Sequence, residues 1–185
     1  GPLKVDSYRL ARSAAVEGVG IARIPDVFAA PPDYPVGTYL YSNFGYIAVG
    51  AALEAAAGEP WEDLIVARVF DPLAMASCGF GPPGTPGAFD QPWGHSGSAG
   101  SYQPMDPGDL YADNPATLGP AGTVHCSLAD WGKFGVEHLA GAHGEGTVAS
   151  TEAFTRMHTP PPGETYAAGW GVLSMPEFGG ALLTH

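Results

Sequence analysis

An α+β chain is predicted, helical and loop-rich over residues 1–165 and stranded over 166–185, on three observations. Helical apolar patterning recurs four times between residues 43 and 158. After Pro160-Pro161-Pro162 the pattern changes to two short runs of the strand type. Gly and Pro, 27 and 19 residues, make up about a quarter of the chain with no repeat, so they punctuate a loop-rich fold. At 185 residues and 45% hydrophobic, this is one domain or a large part of one, with apolar material enough for a core.

Taken in order, residues 3–30 read as two short helices broken near Gly18-Val19-Gly20, and Pro31-Pro32-Asp33-Tyr34-Pro35 is a stiff connector. A turn at Pro35-Val36-Gly37 then leads to a polar knot, Tyr41-Ser42-Asn43, that opens a helix. That helix carries one charge, Glu54, and is otherwise small or apolar on every side, which predicts burial. Gly58 stands where a left-handed cap ends it. Trp61, Leu64, Ile65 and Val69 mark an amphipathic helix with Glu62 and Asp63 in its first turn, stopped by Asp71-Pro72.

Residues 80–118 form a long loop rich in Pro, Gly, Ser and Asp and devoid of Lys and Arg. Ser127 and Asp130 make a capping box for a helix presenting Leu128, Trp131, Gly135 and Leu139 and closed by Gly141. A short helix over 151–158 follows. Residues 167–174 and 179–185 are two strands joined through Met175-Pro176-Glu177-Phe178.

The formal charge of −12 lies mostly in the second half, where residues 81–185 hold ten acids against Lys133 and Arg156. Nucleic acid and anionic membrane surfaces are therefore poor partners, and none is expected. No apolar run reaches a membrane span or has the make-up of a signal peptide. Gly1-Pro2-Leu3 reads as the remnant of a cleaved tag, so the compartment, periplasm or cytoplasm, stays open. Cys78 and Cys126 are read as two buried free thiols, because one pair in a chain this size is weak evidence for oxidation.

No metal site is expected. Asp106, Asp109 and Asp113 lack the spacing of a Ca loop, and His138 with His143, or His125 beside Cys126, lacks that of a zinc site. Gly94-His95-Ser96-Gly97-Ser98 misses the nucleophile-elbow pattern by its last residue and has no strand before it.

The knot carries the strongest chemical signal. Pro35-x-Gly37-Thr38-x-x-Tyr41-Ser42-Asn43-x-x-Tyr46, followed by a small-residue helix, resembles the Tyr-x-Asn motif of the serine β-lactamase and penicillin-binding-protein superfamily. Class C β-lactamases, D-alanyl-D-alanine carboxypeptidases and esterases of the same fold are the nearest in wording. Pro72-Leu73-Ala74-Met75 is similar to the family's Pro-Leu-Gly-Met ending, with Ala74 in place of Gly. Gly119-Pro120-Ala121-Gly122, Ser127-x-x-Asp130 and the run over 166–172 resemble its later phrases, in the same order. The same residues also have a purely structural reading, with Asn43 as an N-cap and Tyr41 as a half-buried aromatic.

The resemblance implies an antiparallel sheet flanked by helices plus a mainly helical subdomain, of which this chain supplies the helical part and about two sheet strands. It implies acyl transfer through a Ser-x-x-Lys nucleophile, a Tyr-x-Asn pair and a third motif of Lys-Thr-Gly or His-x-Gly, with no cofactor. On that basis Tyr41 is the base or proton relay, and Asn43 positions substrate and lysine. His185 stands at the Lys/His place of the third motif, with a frayed terminal residue as the alternative. Trp93-Gly94-His95 resembles an element near the family's pocket, which offers His95 as a substrate contact.

The first motif is absent. The residues three places before Lys4 and Lys133 are Gly1 and Asp130, neither of them serine. The expectation is an internal fragment of a serine hydrolase, inactive alone. Its partners would be the missing N- and C-terminal parts of the same protein and a small ester, peptide or β-lactam substrate. The alternative is a pseudoenzyme or binding module that kept the cleft without the nucleophile.

Overall fold

The computed structural model describes Pro35 and residues 41–185. The two helices expected over 3–30 lie outside the described residues. The described chain carries helices and three two-stranded antiparallel sheets, an α+β composition as predicted. It divides into two compact units, one holding the described residues up to Ala67 with Ser77–Ser127, the other Arg68–Ala76 with Leu128–His185.

In the first unit, helix α1 (Asn43–Ala57) starts at an extended Ser42 and ends at Gly58, whose φ of +77° lets its N–H return to the Glu54 carbonyl at 2.8 Å. The Glu54 carboxylate accepts the Trp61 N–H, tying α1 to helix α2 (Trp61–Ile65). A π-helical turn, Val66–Phe70, continues the chain.

Burial of α1 differs from the prediction. Ile47 and Gly50 are buried, with Ile47 packed on Leu118, Phe44 and Ala121. Val49 and Leu53, by contrast, are more than half exposed. The 3₁₀ turn Ala116–Leu118 and the short helix α3 (Gly119–Gly122) cover one stripe of α1. Gly50 is what permits the approach: a Cβ there would lie 2.9 Å from Pro120 Cβ.

Strands β1 (Gly79–Phe80) and β4 (Val124–His125) pair with Gly79 opposite His125. One step further out, the same register sets Cys78 opposite Cys126, and the two form a disulfide, with Cα atoms 4.2 Å apart. The expectation of free thiols is thereby corrected; residues 48 apart in sequence become neighbours only through the ladder. Between these strands the long loop holds a minimal hairpin, β2 (His95–Ser96) with β3 (Gln103–Pro104). Carboxylates order the rest. Asp90 accepts from the Thr85 N–H and hydroxyl, which hold its carboxyl below the usual range, and Asp106 accepts from Gly87 and Gly108.

In the second unit, helix α4 (Leu128–Ala142) buries Asp130, Glu137, His138 and Gly141, while Leu128, Trp131, Val136 and Leu139 are exposed. Gly141 does not close it. The helix runs one residue further, and Gly141 admits the Phe154 ring, whose Cγ would lie 2.5 Å from an added Cβ. The left-handed turn falls instead on Gly144, φ +86°. Helix α5 (Thr151–Met157) is capped by Ser150 Oγ, which accepts the Ala153 N–H.

Strands β5 (Gly171–Met175) and β6 (Gly180–Thr184) pair from Gly171–Thr184 to Met175–Gly180 around the 3₁₀ turn Pro176–Phe178. The first of them begins four residues later than expected. Ala167 N–H donates to the Trp170 carbonyl across a turn with Gly169 at φ +84°, which takes residues 167–170 out of the strand.

Candidate functional site

A helix N-terminus needs something to occupy its unpaired N–H groups, and the residue type at each position decides which side chain is spent on that task. In α1 the N-cap position falls on Ser42, and Asn43 is the first helical residue. The N-cap place that the structural reading gave to Asn43 is therefore taken by Ser42, which forms no side-chain cap bond. The Asn43 carboxamide keeps both donor and acceptor for another group. Tyr41, one place before the cap, is half exposed. The two therefore flank Ser42 at the mouth of a helix fixed at its midpoint by the Gly50–Pro120 contact.

His95 lies in the same unit, exposed on β2 opposite Pro104. His185 belongs to the second unit and follows β6 directly. Its Nδ1 lies 2.8 Å from the Gly169 carbonyl oxygen and 3.5 Å from the Tyr166 hydroxyl.

Two features escaped the sequence reading. The first is a cavity of about 250 Å³ in the first unit, lined by Trp93, Met105, Asp113, Val124 and His125 among others. His125 is pinned there by its Nδ1 on the Gly81 carbonyl, 2.7 Å away. Strand pairing between β1 and β4 builds that wall, and no local pattern announces it.

The second is a pair of histidines in the second unit. His138 Nδ1 and His158 Nε2 are 2.8 Å apart, and Phe134, Phe154 and Trp170 surround them edge-on. The signal was present as Phe134/His138 and Phe154/His158, each four apart and so on one helix face. Burial first, then the neighbouring His158, depresses His138 to about 4, against the opposing charge of Glu137; burial also lowers His158. Glu137 Oε1 is held by the N–H groups of Thr147 and Val148. Among the described residues no cluster of three His, Cys, Asp or Glu could hold a metal ion, and no helix is long and apolar enough to cross a membrane.

Comparison with known proteins bears on the whole arrangement. The family profile described as Beta-lactamase matches residues 22–180. No curated protein matches the chain. Among solved structures, the octameric penicillin-binding protein homologue from Pyrococcus abyssi is 21% identical with a TM-score of 0.60, covering 86% of this chain and 35% of that one. The D-amino acid amidase from Ochrobactrum anthropi SV3, complexed with D-phenylalanine, is 20% identical with a TM-score of 0.58, covering 86% and 47%. A D-stereospecific amidohydrolase from Streptomyces sp. is 19% identical with a TM-score of 0.63, covering 96% and 56%. At such identities the likeness is one of fold. The chain thus spans roughly a third to a little over half the length of the structures it matches.

Proposed function

We propose, from the premise that this chain belongs to the beta-lactamase family, that it is the Tyr-x-Asn-bearing portion of a serine hydrolase. The observation that carries the reading is the placement of Tyr41 and Asn43 on either side of the α1 N-cap, with Ser42 rather than Asn43 in the capping position. The reaction is acyl transfer to a serine in a Ser-x-x-Lys sequence outside these 185 residues, followed by hydrolysis. A serine hydroxyl is a weak nucleophile and needs a neighbouring proton acceptor. Tyr41 takes that role, because a phenolate can persist beside the ammonium of the lysine that accompanies the serine. Asn43 offers its amide to the substrate carbonyl and its oxygen to the same lysine. His185 stands at the third-motif position and His95 contacts the substrate.

The substrate class is an ester, an amide or peptide, or a β-lactam, and no cofactor takes part. The apolar side chains left open on α1 and α4, such as Leu53, Val136 and Leu139, support the view that further polypeptide completes the fold. The chain alone is inactive.

Tyr41→Phe in the complete protein tests the assignment. Acylation by a fluorescent penicillin or a fluorophosphonate should fall by about 10²- to 10⁴-fold while circular dichroism and the thermal midpoint stay unchanged. Unaltered acylation would remove Tyr41 from the role. Labelling of the purified 185-residue chain by itself would place the nucleophile within it and sink the fragment reading. A complete protein lacking any Ser-x-x-Lys would favour a binding module instead.

A further inference from the structure

We propose that the turn over residues 166–170 is a positioning device for His185: it holds the imidazole as the Nδ1–H tautomer and leaves Nε2 as the working nitrogen. The argument starts from the acceptor. A carbonyl oxygen carries lone pairs and no hydrogen, so at 2.8 Å from Gly169 O the His185 Nδ1 must be the atom bearing the proton. The neutral ring then has its free lone pair on Nε2, on the side away from the turn. The Tyr166 hydroxyl, 3.5 Å from the same nitrogen, cannot donate into it, because that position is already filled. It flanks the bond as a weaker acceptor. A histidine side chain in water favours the opposite tautomer, Nε2–H, so the turn reverses the default.

The placement is built into the hairpin. Tyr166 bridges Gly171, and Gly171 pairs with Thr184, so the residue after Thr184 falls beside the turn that precedes Gly171. Gly169 at φ +84° and the Ala167-to-Trp170 hydrogen bond aim the carbonyl outward. A side chain at Gly171 would meet Thr184 Cγ2 at 2.9 Å, so the close pairing that sets this register needs glycine there. A slip by one residue would turn His185 to the other face. In functional terms, fixing one ring nitrogen by a backbone acceptor decides which nitrogen exchanges a proton or meets a substrate group.

The functional half rests on the reading of His185 as the third-motif residue; the tautomer does not, and the two are tested apart. Long-range ¹H–¹⁵N correlation spectra of the ¹⁵N-labelled 185-residue chain, with His185 assigned by loss of its peaks in His185→Gln, report the tautomer directly. The expected pattern is a protonated-type Nδ1 and an unprotonated Nε2 in the neutral ring, retained in Tyr166→Phe. An Nε2–H or averaged pattern in the parent chain, or a switch to Nε2–H in Tyr166→Phe, overturns the proposal. In the complete hydrolase a glutamine amide reaches the place of Nε2 and an asparagine amide that of Nδ1. His185→Gln should therefore keep about tenfold more acylation rate than His185→Asn. The reverse order overturns the assignment of Nε2. Equal, undiminished rates with the Nδ1–H spectrum would leave the tautomer standing and remove His185 from the reaction.

Discussion

Ala74 is the single non-glycine residue with a positive φ among those described, at +51°. It occupies the place where the Pro-Leu-Gly-Met ending it resembles has Gly, and the backbone explains why glycine belongs there. An L-residue in the left-handed region brings its Cβ against a carbonyl, at a cost of about 1–2 kcal/mol. The conformation persists because Lys133, paired with Asp130 at 2.6 Å, donates to the Ala74 carbonyl and Met75 is buried next to it. Ala74→Gly should raise stability by up to about 1 kcal/mol in urea unfolding, with part of the gain offset by the freer unfolded chain. Gly141 and Gly135 on α4 should respond in opposite directions to alanine. At Gly141 the new methyl runs into the fully buried Phe154 ring and should cost about 1–3 kcal/mol. At Gly135 nothing lies within 4 Å, and helix propensity alone should contribute about 0.5–1 kcal/mol. Paired denaturation curves would decide both.

At the scale of elements, α4 and α5 meet through His138 and His158, whose ring nitrogens share one hydrogen. Both groups have folded-state values below the ordinary one near 6.5. Above that pH both rings are neutral, folded or unfolded, and the pair carries no penalty. As the pH falls from about 6.5 toward about 4, the unfolded chain takes up protons that the packed pair refuses. Stability of the second unit should then decline by at most about 1.4 kcal/mol per pH unit per histidine. Glu137, the buried acid beside His138, moderates the loss by favouring its charged form. Urea midpoints between pH 7.5 and 4.5, roughly the window named, should show the fall, and His158→Gln should flatten it. A flat profile in the parent chain would mean the pair opens without cost. The elements themselves were largely legible: α1 with its Gly58 cap, the short helix α5 and the β5–β6 hairpin depend on residues within a few places of each other. The late start of β5 and the true end of α4 were not: a turn hydrogen bond takes residues 167–170 out of the strand, and the left-handed turn after α4 falls on Gly144 while Gly141 admits the Phe154 ring.

For the molecule as a whole, the Cys78–Cys126 bond ties together residues 48 apart. Removing it should cost the first unit about 2–4 kcal/mol, by the usual effect of releasing a closed loop in the unfolded chain. Guanidinium unfolding with and without dithiothreitol, set beside a Cys78→Ser/Cys126→Ser variant, measures this. A reduced chain as stable as the oxidised one would show that the β1–β4 pairing needs no cross-link. The exposure of the two longest helices is the other feature at this scale. Their apolar faces on Val49, Leu53, Leu128 and Leu139 are more than half exposed, whereas the sequence read α1 as an interior helix. The all-round apolar pattern of α1 predicted burial on every side, and among the described residues only the stripe through Ile47 and Gly50 is buried.

The sequence by itself determined the family, through the wording around Tyr41-Ser42-Asn43 and the phrases that follow it in order, and it determined the local elements, because caps, turns and periodicity act over a few residues. Only the tertiary structure decided that Cys78 finds Cys126, that His138 finds His158 and not His143, that Ser42 rather than Asn43 takes the cap, and that Gly169 reaches His185. Most of these are meetings between residues far apart along the chain, set by strand register and helix packing, and no pattern of near neighbours encodes them.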